Sequence, residues 1–224
     1  MSKLDHFICT SAAARRPWDA RLARRLVAPL KDSWVTPNHL TTARLAVGLA
    51  AAAAFLPGVY AWSNVAAVLL VVSNFLDHSD GELARISGRS SRAGHFYDLA
   101  SDAAVTVVIF IAIGIGAGAR SKAAMPVSPV VLGCIAGFAI ALIFYLRMRI
   151  EDRIGKSATM QASLGGFDTE DVMYLLPIAT LCDGTTPLLI AAALCAPLYL
   201  CWVIFDYWRV RHRPQVLTVH SSSG

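Results

Sequence analysis

The fold class predicted from the sequence is an all-α integral membrane protein with six transmembrane helices and an amino-terminal amphipathic surface helix. Three observations predict it. Of 224 residues, 56% are hydrophobic and 16% charged, against roughly 45–50% and 25% in soluble proteins. Mean hydropathy is +0.54, and apolar runs recur at about the 20 residues needed to cross a hydrocarbon core. Lys and Arg gather in alternate breaks between those runs. A disordered chain is excluded by this composition. The net charge of +5 and the pI near 9.1 point to lipid phosphate as the counter-charge rather than nucleic acid, because the basic residues lie at helix ends and in the amino-terminal arm.

The first 30 residues carry Arg15, Arg16, Arg21, Arg24 and Arg25 without a continuous apolar stretch, so no cleaved signal peptide is expected. Within this arm (residues 1–35), Trp18, Leu22, Leu26 and Leu30 recur every four residues while Arg21, Arg24 and Arg25 fall on another face. That spacing predicts a helix resting on the membrane surface, ended or kinked by Pro29. A membrane domain (36–210) follows, with spans predicted at 39–60, 62–84, 95–118, 127–147, 170–183 and 187–206, the fifth being short. Turn chemistry separates them at Pro57-Gly58, Ser87 to Ser91, Gly118 to Pro126, Gly165-Gly166 and Asp183-Gly184. A carboxy-terminal tail (211–224) completes the chain. Basic residues cluster before span one, between spans two and three (Arg85, Arg89, Arg92), between four and five (Arg147, Arg149, Arg153, Lys156) and after six (Arg209, Arg211, Arg213). The opposite loops hold Arg120 and Lys122. The positive-inside rule therefore puts both termini in the cytoplasm, and an inner membrane of bacterial type is the expected location. Trp202, Tyr207 and Trp208 read as an interfacial aromatic belt. The five cysteines, Cys9, Cys134, Cys182, Cys195 and Cys201, form no CxxC pair. They are expected as small core residues, with neither zinc nor disulfides.

Ionisable residues inside spans are costly and mark function by default. One stretch concentrates them: Asp77-His78-Ser79-Asp80-Gly81-Glu82-Leu83-Ala84-Arg85, followed by Gly94, Asp98 and Asp102. Asp77 and Asp80 are spaced i,i+3 and Asp98 and Asp102 i,i+4, so each pair shares a helix face near the cytoplasmic ends of spans two and three. Four carboxylates converging at low dielectric repel one another unless divalent cations supply positive charge. Their hard oxygens suit Mg²⁺ or Mn²⁺, and a pair of such ions held by carboxylates is a recurring device for phosphoryl chemistry. Gly81 and Ala84 leave room for a ligand to approach the backbone, and Arg85 offers a fork of donors to phosphate. His78 and His95 read as hydrogen-bonding neighbours, since imidazole is not the preferred partner of Mg²⁺. Glu82 is expected to face the headgroup region.

From Asp77 to Asp102 the spelling D-x2-D-G-x2-A-R-x8-G-x3-D-x3-D resembles, without a mismatch, the signature of the CDP-alcohol phosphotransferases. Thr36-Pro37-Asn38-His39-Leu40-Thr41-Thr42-Ala43-Arg44 is similar to that family's opening segment. The resemblance implies six spans with cytoplasmic termini, often as a homodimer, and transfer of a phosphate-linked group from a CDP-activated donor to an alcohol acceptor, with release of CMP, in phospholipid biosynthesis at the membrane. It implies Asp77, Asp80 and Asp98 as metal ligands, and Asp102 as both a metal contact and the base that takes the proton of the attacking hydroxyl. It also implies Gly81 and Arg85 as contacts to the cytidine diphosphate, with Ser91 and the segment Asn38 to Thr41 as further contacts and Ala84 as clearance.

One departure bears on the acceptor. Relatives that use phosphorylated inositol carry a basic stretch before span five, whereas here Gly165-Gly166-Phe167-Asp168-Thr169-Glu170-Asp171 holds three acids. An acidic wall repels a phosphorylated acceptor, which favours a neutral or amine-bearing alcohol. The lipid is either the CDP-linked partner, as in the favoured CDP-diacylglycerol, or a diacylglycerol-like acceptor for a CDP-linked small alcohol. A cation transporter is the rival class, since intramembrane acids also line ion paths. Its weakness is placement: all four acids lie near one face, while a path needs polar groups at several depths. A scaffold with a decayed site is the third reading, and nothing missing from the signature supports it.

Overall fold

The computed structural model describes residues 18–121, 126–154 and 176–212, and every regular element among them is helical. In chain order these are α1 (Trp18–Val27), α2 (Pro37–Phe55), α3 (Tyr60–Ser87), α4 (Arg92–Arg120), α5 (Pro129–Ile154), α6 (Leu176–Leu181) and α7 (Thr185–Arg211). Four of them, α3, α4, α5 and α7, are long and apolar enough to cross a membrane. The first expected span, 39–60, corresponds to the 19-residue α2, which stops at Phe55. Asn38, His39 and Arg44 keep α2 out of that apolar set. The expected fifth span, 170–183, lies partly outside the described residues and shows only α6. The first 17 residues with Cys9, the loop around Lys122, the segment 165–171 and the tail from Arg213 also lie outside them.

The helix ends follow local chemistry. Pro37 occupies the first turn of α2, and the Thr36 amide donates to His39 Nδ1 at 3.2 Å. Gly88, with φ +66°, closes α3 in the left-handed conformation that favours glycine. Ser91 then caps α4 by accepting the Gly94 amide at 3.0 Å. Helix α1 runs to Val27 and tightens into a 3-10 turn over Ala28–Leu30, where Pro29 stands. Ala23 and Val27 are buried, and α1 packs on α3. Leu22 and Leu26 are exposed.

Helix α2 packs on both α3 and α4, α4 packs on α5, and α5 packs on α7. One apolar core joins Ala51, Ala52 and Phe55 of α2 with Ala66 and Leu70 of α3, Val105, Ile109 and Ile113 of α4, and Leu189 of α7. A second joins Ile143 and Ile150 of α5 to Val203 and Val210 of α7. Small residues set the spacing, as expected where lipid tails remove the hydrophobic drive between helices and close packing takes its place. A Cβ on Gly133 of α5 would run into the Phe110 carbonyl of α4, and one on Gly116 would meet the Phe55 carbonyl of α2. At the end of the bundle holding the α2–α3 turn, the Arg120 guanidinium grips both oxygens of Asp183, and the Tyr60 hydroxyl donates to the Leu181 carbonyl at 3.1 Å.

One sequence expectation is corrected here. Cys182, Cys195 and Cys201 are exposed and Cys134 is partly so, all four with free thiols. They lie on outward faces rather than in the core, because an apolar run in a bilayer does not distinguish a lipid-facing position from a buried one.

Gly133→Val should cost about 1–3 kcal/mol, because the clash is with backbone that cannot rotate away. The expected outcome is a lower melting temperature in detergent. Gly118→Ala, whose Cβ would meet only Pro129 Cγ at 4.0 Å, should leave melting unchanged or slightly raised.

Candidate functional site

The acids of the signature stand where α3 ends and α4 begins, on either side of the turn through Gly88 and Ser91. Helix α2 closes the third side. Gly48 lets α2 approach closely: a Cβ there would strike the Val105 side chain and sit 3.2 Å from Ser73 Oγ. Ser73 Oγ in turn donates to the Arg44 carbonyl at 3.1 Å. Thr41 and Arg44, three residues apart and both buried, therefore face the acids from one side of α2.

Arg44 is the centre of the arrangement, with a side chain only 3% exposed. Its Nη1 donates to Asp98 Oδ1 at 2.7 Å and also to Asp77 Oδ1, and its Nη2 donates to Asp102 Oδ1. The planar guanidinium suits such a task, since its donors diverge in a fixed fork and it stays charged. Asp77, Asp98 and Asp102 offer carboxylate oxygens that all lie within 4.8 Å of one another. At that distance two unit charges repel by about 3.5 kcal/mol at an effective dielectric near 20. Sequence reasoning quoted Arg44 within the opening segment but gave it no role. The signal was available: an arginine inside an apolar helix needs a partner, and the cluster of acids needs a cation.

Asp80 is more buried, at 5% exposed, and accepts a hydrogen bond from Thr41 Oγ1 at 2.7 Å through its Oδ2. It lies within electrostatic reach of Asp98, Asp77 and Arg44 but outside the close trio. A Cβ on Gly81 would meet nothing within 4 Å, so open space adjoins the acids there. Ala84 is half-buried, and Arg85 is exposed at the same helix end. Glu82 is the correction. It is 1% exposed, beneath the surface with Ser79 and Leu83, and it accepts from Arg85 Nη1. The i,i+3 spacing of Glu82 and Arg85 allowed that pair, and burial of Ser79 and Leu83 on the same face turns the acid inward.

Ser91 caps α4, and Asn38 lies beside it, its Oδ1 at 2.9 Å from where a Gly94 Cβ would stand. Asn38 is exposed. His78 Nδ1 is hydrogen-bonded to the Asn74 carbonyl at 2.9 Å, and His95 is exposed near Asp98. Thr42 and Tyr97 hydroxyls meet at 3.0 Å, tying α2 to α4. Arg147, at the corresponding part of α5, donates to the Tyr199 hydroxyl of α7.

The donor set fits a divalent cation by its chemistry. Three carboxylates from two helices present hard oxygens within 4.8 Å of one another, with a fourth carboxylate nearby, and among the described residues no softer thiol joins the group. All of these groups lie at one end of the helices, away from Arg120 and Asp183, which does not suit an ion path across the bilayer. A family model described as CDP-alcohol phosphatidyltransferase matches residues 34–208, which takes in α2 to α6 and most of α7. No curated protein matches the chain.

Thr41→Val should destabilise the fold by about 1–3 kcal/mol, because it removes a hydroxyl donor from a buried carboxylate. Thermal melting in detergent checks this, and Thr41→Ser should retain the parent's melting temperature within a degree or two.

Proposed function

Because the chain belongs to the CDP-alcohol phosphatidyltransferase family, whose members transfer a phosphate-linked group from a CDP-alcohol in phospholipid biosynthesis, we propose that it uses CDP-diacylglycerol and a neutral or amine-bearing small alcohol. The observation that carries the siting of this chemistry is the meeting of Asp77, Asp98 and Asp102 beside the open space at Gly81. The rest of the signature supports the same place. Gly81 and Ala84 would give a diphosphate clearance to approach α3, and the exposed Arg85, one of whose donors is taken by Glu82, would turn its remaining donors to the diphosphate oxygens. Asn38 and Ser91 lie beside Gly94 at the start of α4, and Thr41 holds Asp80.

Asp77, Asp80, Asp98 and Asp102 would hold Mg²⁺ or Mn²⁺, two ions in the full complement. Such ions supply positive charge to phosphate oxygens as negative charge builds on them. Asp102 is the general base. Its place as the last acid of the signature supports this role, and part of its side chain stays exposed to an incoming hydroxyl. Asp102 takes the hydroxyl proton, the alcohol oxygen bonds to the β-phosphorus of the donor, and the bond from that phosphorus to the bridging oxygen breaks with CMP as leaving group. Asp77, Asp80 and Asp98 would hold the ions against which the donor diphosphate is oriented.

The same reading places the protein in an inner membrane of bacterial type, with six spans, α1 lying on the cytoplasmic surface and both termini on that side. The exposed Leu22 and Leu26 support a lipid contact for α1. Exposed apolar faces on α5 and α7 leave room for a second copy as a homodimer. The three acids of 168–171 favour an uncharged or cationic acceptor.

Purified protein incubated with CDP-diacylglycerol and a panel of alcohols should release CMP with neutral or amine-bearing acceptors at least tenfold faster than with phosphorylated ones. A parallel arm with CDP-linked small alcohols and diacylglycerol should stay near background; the reverse pattern overturns the donor assignment. Asp102→Asn should lower CMP release by 10²-fold or more while leaving most Mn²⁺ affinity. Chelation by EDTA should abolish turnover, and added Mg²⁺ or Mn²⁺ should restore it.

A further inference from the structure

The guanidinium of Arg44 and the proposed metal ions are drawn to the same three carboxylates. We propose that Arg44 is the resident counter-ion of the acidic site: it holds Asp77, Asp98 and Asp102 together when no divalent ion is bound, and metal loading displaces its fork from them. This inference rests on the metal-dependent reading above.

Arg44 donates through Nη1 to Asp77 and Asp98 and through Nη2 to Asp102, which are the three residues whose oxygens come within 4.8 Å of one another. One side chain therefore ties the end of α3 to the start of α4 across two chain turns. Its own backbone is fixed, because Ser73 Oγ holds the Arg44 carbonyl and Gly48, one turn on, seats α2 against α3 and α4. Without a cation at this point, three partly buried carboxylates repel one another and separate. With the guanidinium present the acids stay converged, in the arrangement a dication needs. A dication carries twice the charge in a smaller volume and accepts carboxylate oxygens as direct ligands, so it outcompetes the fork once it arrives. The result is a site assembled before loading, whose metal affinity is weakened by the energy of releasing Arg44. Arg44 is thus a positioning residue with respect to the reaction.

The test compares the parent, Arg44→Gln and Arg44→Lys in detergent, with Mn²⁺ binding followed by the electron paramagnetic resonance signal of the free ion and melting followed with and without EDTA. In EDTA, Arg44→Gln should melt several degrees below the parent; with saturating Mn²⁺ the gap should close. Its Mn²⁺ dissociation constant should fall about tenfold, because no guanidinium competes. Arg44→Lys keeps a charge but not the fork, and should lie between the two. If Arg44→Gln does not fold in EDTA, Arg44→Lys carries the test, with tighter Mn²⁺ binding than the parent expected. Mn²⁺ binding by the parent that neither variant tightens overturns the proposal alone. So does unchanged Mn²⁺ binding with a raised KM for the CDP-linked donor, which would make Arg44 a phosphate contact. No Mn²⁺ binding by the parent overturns both this proposal and the metal-dependent function.

Discussion

The packing of like charge is the constraint on which this molecule turns. Two helices each bring two carboxylates to one end of an apolar bundle, where water screens them poorly, and a single arginine from a third helix answers three of them. That exchange dictates much of the local architecture. Helix α2 has to come close enough for Arg44 to reach across, which is why Gly48 faces Val105 and Ser73 without a side chain of its own. Ser73 has to occupy the Arg44 carbonyl, and Thr41 has to answer Asp80, because neither acid nor backbone can turn to water at that depth.

The two ends of the bundle show how differently a charge pair serves when it is exposed. Arg120 and Asp183 join α4 to the turn before α7, each with about half its side chain in solvent. Such a pair is worth little, because water competes with it and two side chains must be held still. The Arg44 cluster is partly withdrawn from solvent, and replacing buried ion pairs by apolar residues of similar size is often neutral or stabilising. Stability therefore does not explain why the polar groups at this end persist. Their value lies in what converged oxygens can hold.

What the sequence made legible follows from which interactions are local. Asp77, Asp80, Asp98 and Asp102 were readable because their partners are three or four residues away, and helical geometry turns that spacing into a shared face. The turns at Pro57-Gly58 and Ser87 to Ser91 were readable from glycine and capping chemistry. Helix ends were less so. Helix α5 continues through Arg147, Arg149 and Arg153 to Ile154, seven residues past the apolar window, because hydropathy marks contact with lipid while backbone hydrogen bonding goes on beyond it. The exposed cysteines and the buried Glu82 failed for a common reason: composition assigns a residue to a segment, and only packing assigns it to a face. Arg44 was the largest omission, since its partners lie 33 to 58 residues further along the chain and no spacing rule reaches that far.

An omission of that kind still leaves a trace in the arithmetic of charge. Four acids confined to the apolar ends of two helices demand cations, and the residues nearest in sequence do not supply them: Arg85 is turned to Glu82, and Arg89 reaches the Ser33 carbonyl. The positive charge has to come from elsewhere in the chain or from solution. Among the described residues Arg44 is the arginine that is buried within a helix rather than exposed near its end, so its burial requires acids beside it. The same deficit explains why one arginine does not complete the site. One guanidinium does not balance Asp77, Asp80, Asp98 and Asp102, and in the function proposed above small divalent cations would supply the remaining positive charge beside the open space at Gly81.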